Sequence, residues 1–297
     1  MKPMLSYLVC ATPRSGSTLL CRALDQTGVA GHPQEYFEAL SRSGRPRRPH
    51  EYFDPQRHAN IIERLAFREM PDGAAEPNPL WRPDTYDQYL AWALDRGTTA
   101  NGVFGAKLMW GYLGDFAELL RGIDGMAQRT LPELLTRAFP GLRYIRITRE
   151  NKVRQAVSLW KAVQTQTWKQ EADEEVERSL SRADALEPVF SFRAINYLVR
   201  QLTAHDASWD AYFLGLGLEP LKLTYEELAQ GTEAMVVRVL DYLGIPAPAR
   251  GLAEPPRLSV QADAVSEEWV CRFDEHLRAL EGASESAQAA PASAGVQ

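Results

Sequence analysis

The apolar positions of the chain change their spacing repeatedly between the periods of strands and helices. Tyr7-Leu8-Val9-Cys10-Ala11 is a continuous apolar run, short and bounded by turn residues, as expected of a strand buried on both faces. It breaks at Thr12-Pro13-Arg14-Ser15-Gly16 and resumes at helical spacing with Leu19, Leu20, Ala23 and Leu24, which predicts a helix from Ser17 to about Thr27 with Gly28 as its stop. Further strands are expected over 103–108, 142–148 and 220–225. Helices are expected over 61–70, 86–96, 114–121, 131–138, from the end of the third strand through Trp168, over 188–205 continuing near 209–214, and over 226–243 with a stop at Gly244. Strands alternating with helices predict an α/β fold, a parallel sheet flanked by helices, whose ligands gather at the carboxyl edge of the strands.

The first break in the pattern carries chemistry. Ser15-Gly16-Ser17-Thr18 has only small side chains, so successive N–H groups can face one concavity at a helix N-terminus and hold a phosphate-sized anion. Arg14 adds a fixed charge. A nucleoside-triphosphatase loop would need an earlier Gly and a Lys before the Ser/Thr, and neither is present. Cys10 lies too close to Arg14 for a phosphatase cradle, and its apolar setting marks a core thiol. After the third strand, Arg149 is followed by a helix bearing Ser158; an Arg closing a strand and a Ser on the helix it feeds can converge on a second phosphate.

Composition narrows the classes. Among 297 residues, 33 Lys+Arg against 39 Asp+Glu give a net charge of −6, so any anion site must be focused in one pocket, not spread as a nucleic-acid surface. Three scattered cysteines, Cys10, Cys21 and Cys271, make neither a disulfide framework nor a zinc site, which points to a reducing cytoplasm. No long apolar run suggests a membrane span, and the first strand begins too early for a signal segment. One domain is expected over 1–281, with the Ala/Ser/Gly-rich segment 282–297 as a disordered tail. Residues 41–49, rich in Arg and Pro, lack periodicity and read as a solvated, mobile loop, with a lid over a polar acceptor as the competing reading.

Pro13-Arg14-Ser15-Gly16-Ser17-Thr18-Leu19-Leu20 resembles the 5′-phosphosulfate loop of sulfotransferases, which use 3′-phosphoadenosine 5′-phosphosulfate (PAPS). With His32-Pro33-Gln34-Glu35-Tyr36-Phe37 and Gly105-Ala106-Lys107-Leu108-Met109-Trp110, the chain is similar to the Stf0 group of that family over most of its length, up to about Asp274. The resemblance implies a PAPS-dependent sulfotransferase fold, cofactor contacts at Arg14, Ser15, Gly16, Ser17, Thr18 and Leu19, a 3′-phosphate pair at Arg149 and Ser158, and no metal. It implies Glu35 as general base, with Arg14 and Lys107 steadying charge on the transferring group; a partly desolvated carboxylate suits the base and a point charge suits the oxygens. The competing reading of Glu35 is a pairing with an Arg or a cap on the following turn.

Acceptor contacts are implied at Pro13, His32, Pro33, Gln34, Glu35, Tyr36, Phe37 and Tyr52, and the acceptor class is a small carbohydrate or glycolipid. Trehalose is the group's named acceptor, but Pro13, His32 and Tyr52 stand where its trehalose-sulfating member has Gln, Glu and Trp, and such exchanges can shift preference strongly. A homodimer in which each subunit helps close the other's pocket is also implied. Val260 replaces a basic residue of the closing motif, leaving Arg257 as the nearest charge. Rival readings are a kinase or nucleotide hydrolase on the same loop and a non-catalytic nucleotide or sugar binder.

Overall fold

Strands β1 (Leu5–Ala11), β2 (Val103–Met109), β3 (Leu142–Thr148) and β4 (Leu221–Thr224) pair in parallel in the order β2-β1-β3-β4. The computed structural model describes residues 2–68, 80–166, 168, 187–248 and 264–289. All four expected strands are present, and every residue of β2 is buried, as a sheet covered by helices requires. The chain leaves β1 for β2 on one side and later returns to β3 on the other. The loops after β1 and β3 therefore open side by side at the carboxyl edge, where the strand order reverses.

Helices cover the sheet: α1 (Ser17–Gln26), α2 (Ala59–Arg68), α3 (Tyr86–Arg96), α4 (Trp110–Arg121), α5 (Leu131–Ala138), α6 (Lys152–Thr165), α7 (Phe192–Gly215), α8 (Tyr225–Gln230), α9 (Thr232–Leu243) and α10 (Ala264–Ala289). Local chemistry sets their ends. Asn151 accepts from the Arg154 N–H to start α6, and Thr224 and Glu227 form a reciprocal capping box at α8. A second apolar cluster joins α6, α7 and α10 through Trp160, Leu198, Trp269 and Phe273. Trp160 is thus a core residue, its indole N–H donating to the Val189 carbonyl.

Four expectations change. Helix α6 stops at Thr165, where Gln166 takes a left-handed φ of 55°, so Trp168 is off the helix and free to turn toward the site. The segment expected as one helix over 226–243 breaks at Gly231, which closes α8 and caps α9. The expected tail does not begin at Gly282: α10 runs on to Ala289, its Ala, Glu and Gln residues being good helix formers that outweigh the single Gly. The Arg-rich stretch is tied down on α4. Ser41 bonds Asp115 and Glu118, Arg47 Nη2 donates to the Gly111 carbonyl at 2.5 Å, and Ala39 bridges to Pro46. The charged stretch at 170–182 and the closing motif around Val260 and Arg257 lie outside the described residues.

Candidate active site

The loop after β1 forms the floor of the site. Gly16 caps α1 at φ 83° with no side-chain bond to the first turn, leaving that end of the helix to an incoming anion. Only glycine fits here, because a Cβ would lie 2.7 Å from the Tyr225 ring as well as in an unfavourable backbone region. Ser15 is buried and its Oγ has no hydrogen-bond partner in the structure. An unsatisfied buried hydroxyl costs about 1–3 kcal/mol. Ser17 is buried in the first turn, and Leu19 packs into the sheet core, so only its backbone can serve a ligand.

The loop after β3 brings a second anion group alongside. Arg149 lies over the Tyr225 ring at 4.4 Å, and its Nε is buried without a partner. Burial holds the Arg149 guanidinium below its ordinary pKa, with Tyr225 and Glu226 working the other way. Arg14 reaches into the same region: its Nε donates to Ser158 Oγ at 3.0 Å and its Nη1 to the Trp168 carbonyl at 2.8 Å. Its pKa is pushed down to about 10, first by burial and then by Arg149. Two half-buried like charges, with a Ser hydroxyl and the unpartnered Arg149 Nε beside them, form a site that an anion would relieve. Arg14 thus spans the loop and the Arg149–Ser158 pair, whereas the sequence reading assigned it to the loop alone.

Glu35 is delivered by an added edge contact. Gln34 pairs with Ala106 as a one-residue parallel bridge on β2, and its carbonyl accepts from the Lys107 N–H at 2.8 Å. Glu35 Oε2 then lies 2.7 Å from Lys107 Nζ, and Oε1 accepts from Tyr112 Oη at 2.9 Å. The Glu35 side chain keeps 25% exposure while that of Lys107 keeps 7%. Lys107 also donates to Thr18 Oγ1 at 3.1 Å, which ties the carboxylate to the first turn of α1. Burial works against the Lys107 ammonium, but Glu35, Cys21 and Glu38 outweigh it and hold its pKa above the ordinary value. Glu35 therefore has a charge partner, a lysine and not the arginine of the competing reading. Each of its oxygens retains a lone pair for an incoming proton.

The remaining predicted contacts divide. Tyr52 stacks on Trp168 at 5.6 Å beneath Arg47, and burial, with Glu35 and Glu38 adding to it against Arg47 and Arg14, pushes its hydroxyl pKa up. Pro13 is half-buried and Gln34 is exposed beside Glu35. Tyr36 and Phe37 are 5% and 1% exposed and pack into the core, Phe37 stacked on Phe116 at 4.4 Å, so their rings are not acceptor surface. That is a correction, and its cause is the Gln34 bridge, which turns the following residues inward. Pro33 is likewise buried. His32 Nδ1 pairs with Asp25 Oδ1 of α1 at 2.6 Å. Sequence reading missed Tyr112, which looks like one more apolar position of α4, and Gln155, whose burial among valines was the available signal.

Tyr112→Phe removes one of the two groups that hold Glu35. Hydrogen bonds to charged groups contribute about 1.5–3 kcal/mol, so turnover is expected to fall about 10-fold or more with thermal stability changed little. Steady-state kinetics beside a melting curve checks this; an unchanged turnover number removes Tyr112 from the site.

Two loops lie side by side at the reversal point of a parallel sheet with a carboxylate fixed beside one of them, and the sequence relatives make the chain a sulfotransferase. The Stf0 sulphotransferase family model matches residues 6–276. Trehalose 2-sulfotransferase of Mycobacterium tuberculosis (strain ATCC 35801 / TMC 107 / Erdman) is 33% identical over 282 residues, covering 90% of this chain and 93% of that one. The trehalose 2-sulfotransferase of Mycolicibacterium smegmatis (strain ATCC 700084 / mc(2)155) is 35% identical over 273 residues, covering 90% and 94%. A crystal structure of a sulfotransferase from Alicyclobacillus acidocaldarius aligns over 95% of both chains at 16% identity with a TM-score of 0.41, a likeness that carries no argument by itself. The chain belongs to the Stf0 sulphotransferase family. Among the described residues no helix is long and apolar enough to cross a membrane, and no group of His, Cys, Asp and Glu could hold a metal ion.

Proposed function

We propose that this chain moves a sulfuryl group from PAPS to a hydroxyl of a carbohydrate or glycolipid acceptor, with Glu35 as general base. The observation that carries the reading is the placement of Glu35: Lys107 joins it through Thr18 to the anion-binding turn, and Tyr112 fixes its other oxygen. The polar groups present suit the cofactor. Ser15 Oγ and Arg149 Nε are buried and unpartnered, and they belong to the two loops that would take a 5′-phosphosulfate and a 3′-phosphate. Bound PAPS supplies the sulfuryl group to an acceptor hydroxyl attacking in line and departs as the bisphosphate.

The protein's own residues do the rest. Glu35 accepts the hydroxyl proton as the oxygen becomes nucleophilic, a task for which a positioned base contributes about 10²–10⁴-fold. Lys107 and the α1 terminus supply fixed positive potential on the side where negative charge grows, at no reorganisation cost during the reaction. Arg14, Arg149 and Ser158 grip the nucleotide, and a guanidinium fork separates a 3′-phosphate from a bare ribose hydroxyl. Tyr52 and Trp168 offer a stacked aromatic surface to a sugar face.

Trehalose is the first acceptor to test because both mycobacterial relatives carry it in their names. Pro13, His32 and Tyr52 argue for a broader panel, since His32 is engaged with Asp25. A homodimer, action in the cytoplasm and a single folded unit over 1–281 complete the proposal; three unpaired cysteines fit a reducing compartment. The test is transfer of labelled sulfate from PAPS to trehalose, other disaccharides and glycolipids. Sulfation of one acceptor class is expected; labelled product from none of them, together with no PAPS binding, would refute the reading.

A further inference from the structure

Behind the turn after β1 lies a buried polar network centred on Gln155, a residue to which the proposed chemistry gives no role. Gln155 of α6 is fully buried, and its Nε2 donates to Thr12 Oγ1 at 2.9 Å and to the Pro13 carbonyl at 2.7 Å. Its Oε1 accepts from Lys152 Nζ at 3.2 Å. An ammonium can only donate, so Lys152 dictates which end of the amide faces it, and both amide hydrogens are committed to the turn. Thr12 in turn donates to Asp206 Oδ1 at 3.2 Å, and Asp206 is held by Arg146 at 2.5 Å and Lys152 at 2.6 Å. Trp209, one turn along α7, donates to the Ala11 carbonyl at 3.0 Å.

The consequence is local and geometric. A peptide group is planar and trans, so holding the Pro13 carbonyl against Gln155 sets the plane of the Pro13–Arg14 peptide and directs the Arg14 N–H the opposite way. The next residue, Arg14, sits at φ 64°, a left-handed conformation that an L side chain adopts at a cost and keeps only when its surroundings impose it. Three residues further along α6, Ser158 holds the Arg14 side chain. One helix face therefore fixes the backbone and the side chain of the same turn.

We infer that Gln155 is a positioning residue of the loop that takes the 5′-phosphosulfate, acting through the Pro13–Arg14 peptide. It touches no reacting group, and the inference rests on the PAPS reading above. Its effect falls first on the 5′ end of the nucleotide, where the peptide it holds lies; its tie to the 3′ site runs indirectly, through Lys152, which also donates to the Arg149 carbonyl.

The test compares two nucleotides on the full chain by titration calorimetry: 3′-phosphoadenosine 5′-phosphate, which uses both sites, and adenosine 3′-phosphate, which lacks the 5′ group. Gln155→Met keeps length and removes both donors; Gln155→Glu keeps shape and turns an acceptor toward the Pro13 carbonyl, and serves where the first variant does not fold. For either variant the bisphosphate is expected to bind about 10-fold more weakly or worse, while adenosine 3′-phosphate stays within about 2-fold of the unaltered chain. If the unaltered chain binds neither nucleotide, the cofactor reading falls and takes the inference with it. If it binds both and the variants lose neither, or lose both equally, the cofactor reading stands and the positioning role is overturned.

Discussion

Glu35→Gln is expected to lower the turnover number about 10²–10⁴-fold, the range a positioned general base contributes, while binding of 3′-phosphoadenosine 5′-phosphate changes by less than about 3-fold. The amide keeps the shape of the carboxylate and can still accept from one of its two partners, Lys107 at Oε2 or Tyr112 at Oε1, so the fold around it is retained. What it loses is the capacity to take a proton from the acceptor. Lys107 would then lack its counter-charge in a site where it is 7% exposed, and a lower melting temperature is expected beside the lost rate. Single-turnover sulfate transfer with pre-bound PAPS is the measurement that separates these effects. A variant that keeps more than a tenth of the rate would show that Glu35 serves the ion pair and not the chemistry.

The second large effect is expected at Arg149. Arg149→Met preserves the stem over Tyr225 and removes the fork, and truncating a buried charged partner costs about 2–5 kcal/mol, so PAPS should bind on the order of 30- to 4,000-fold more weakly. Adenosine 5′-phosphosulfate, which has no 3′-phosphate, should be indifferent to the change. Arg149→Lys should recover little, because an ammonium cannot reproduce a two-pronged contact. Equal losses for both nucleotides would place Arg149 in scaffold support and remove it from 3′-phosphate recognition.

The first strand was legible because a strand covered on both faces writes itself as an uninterrupted apolar run, as at Tyr7–Ala11, and 142–148 was legible from the strand-forming Tyr144, Ile145 and Ile147 set between its arginines. The turn at Ser15–Thr18 was legible because few arrangements want so many small residues between a strand and a helix. Helix ends were less so: nothing local required α6 to stop at Thr165, and it is the left-handed Gln166 that releases Trp168 to meet Tyr52. The acceptor motif around Glu35 could be named but not sorted. Whether Gln34 bridges to Ala106 depends on residues seventy positions away, and that bridge decides that Glu35 faces the site while Tyr36 and Phe37 enter the core. Tyr112 and Gln155 were hidden for the same reason, since their roles exist only through partners distant in sequence.

The left-handed backbone at Arg14 sets stability and activity against each other at a single position. Glycine or asparagine would sit there with less strain, and neither could reach Ser158 and the Trp168 carbonyl together. Substitution by glycine would relieve the backbone and release Ser158 and the Trp168 carbonyl at the same time. Residue 14 is therefore a place where the chain accepts a less comfortable fold in exchange for a joined pair of binding loops.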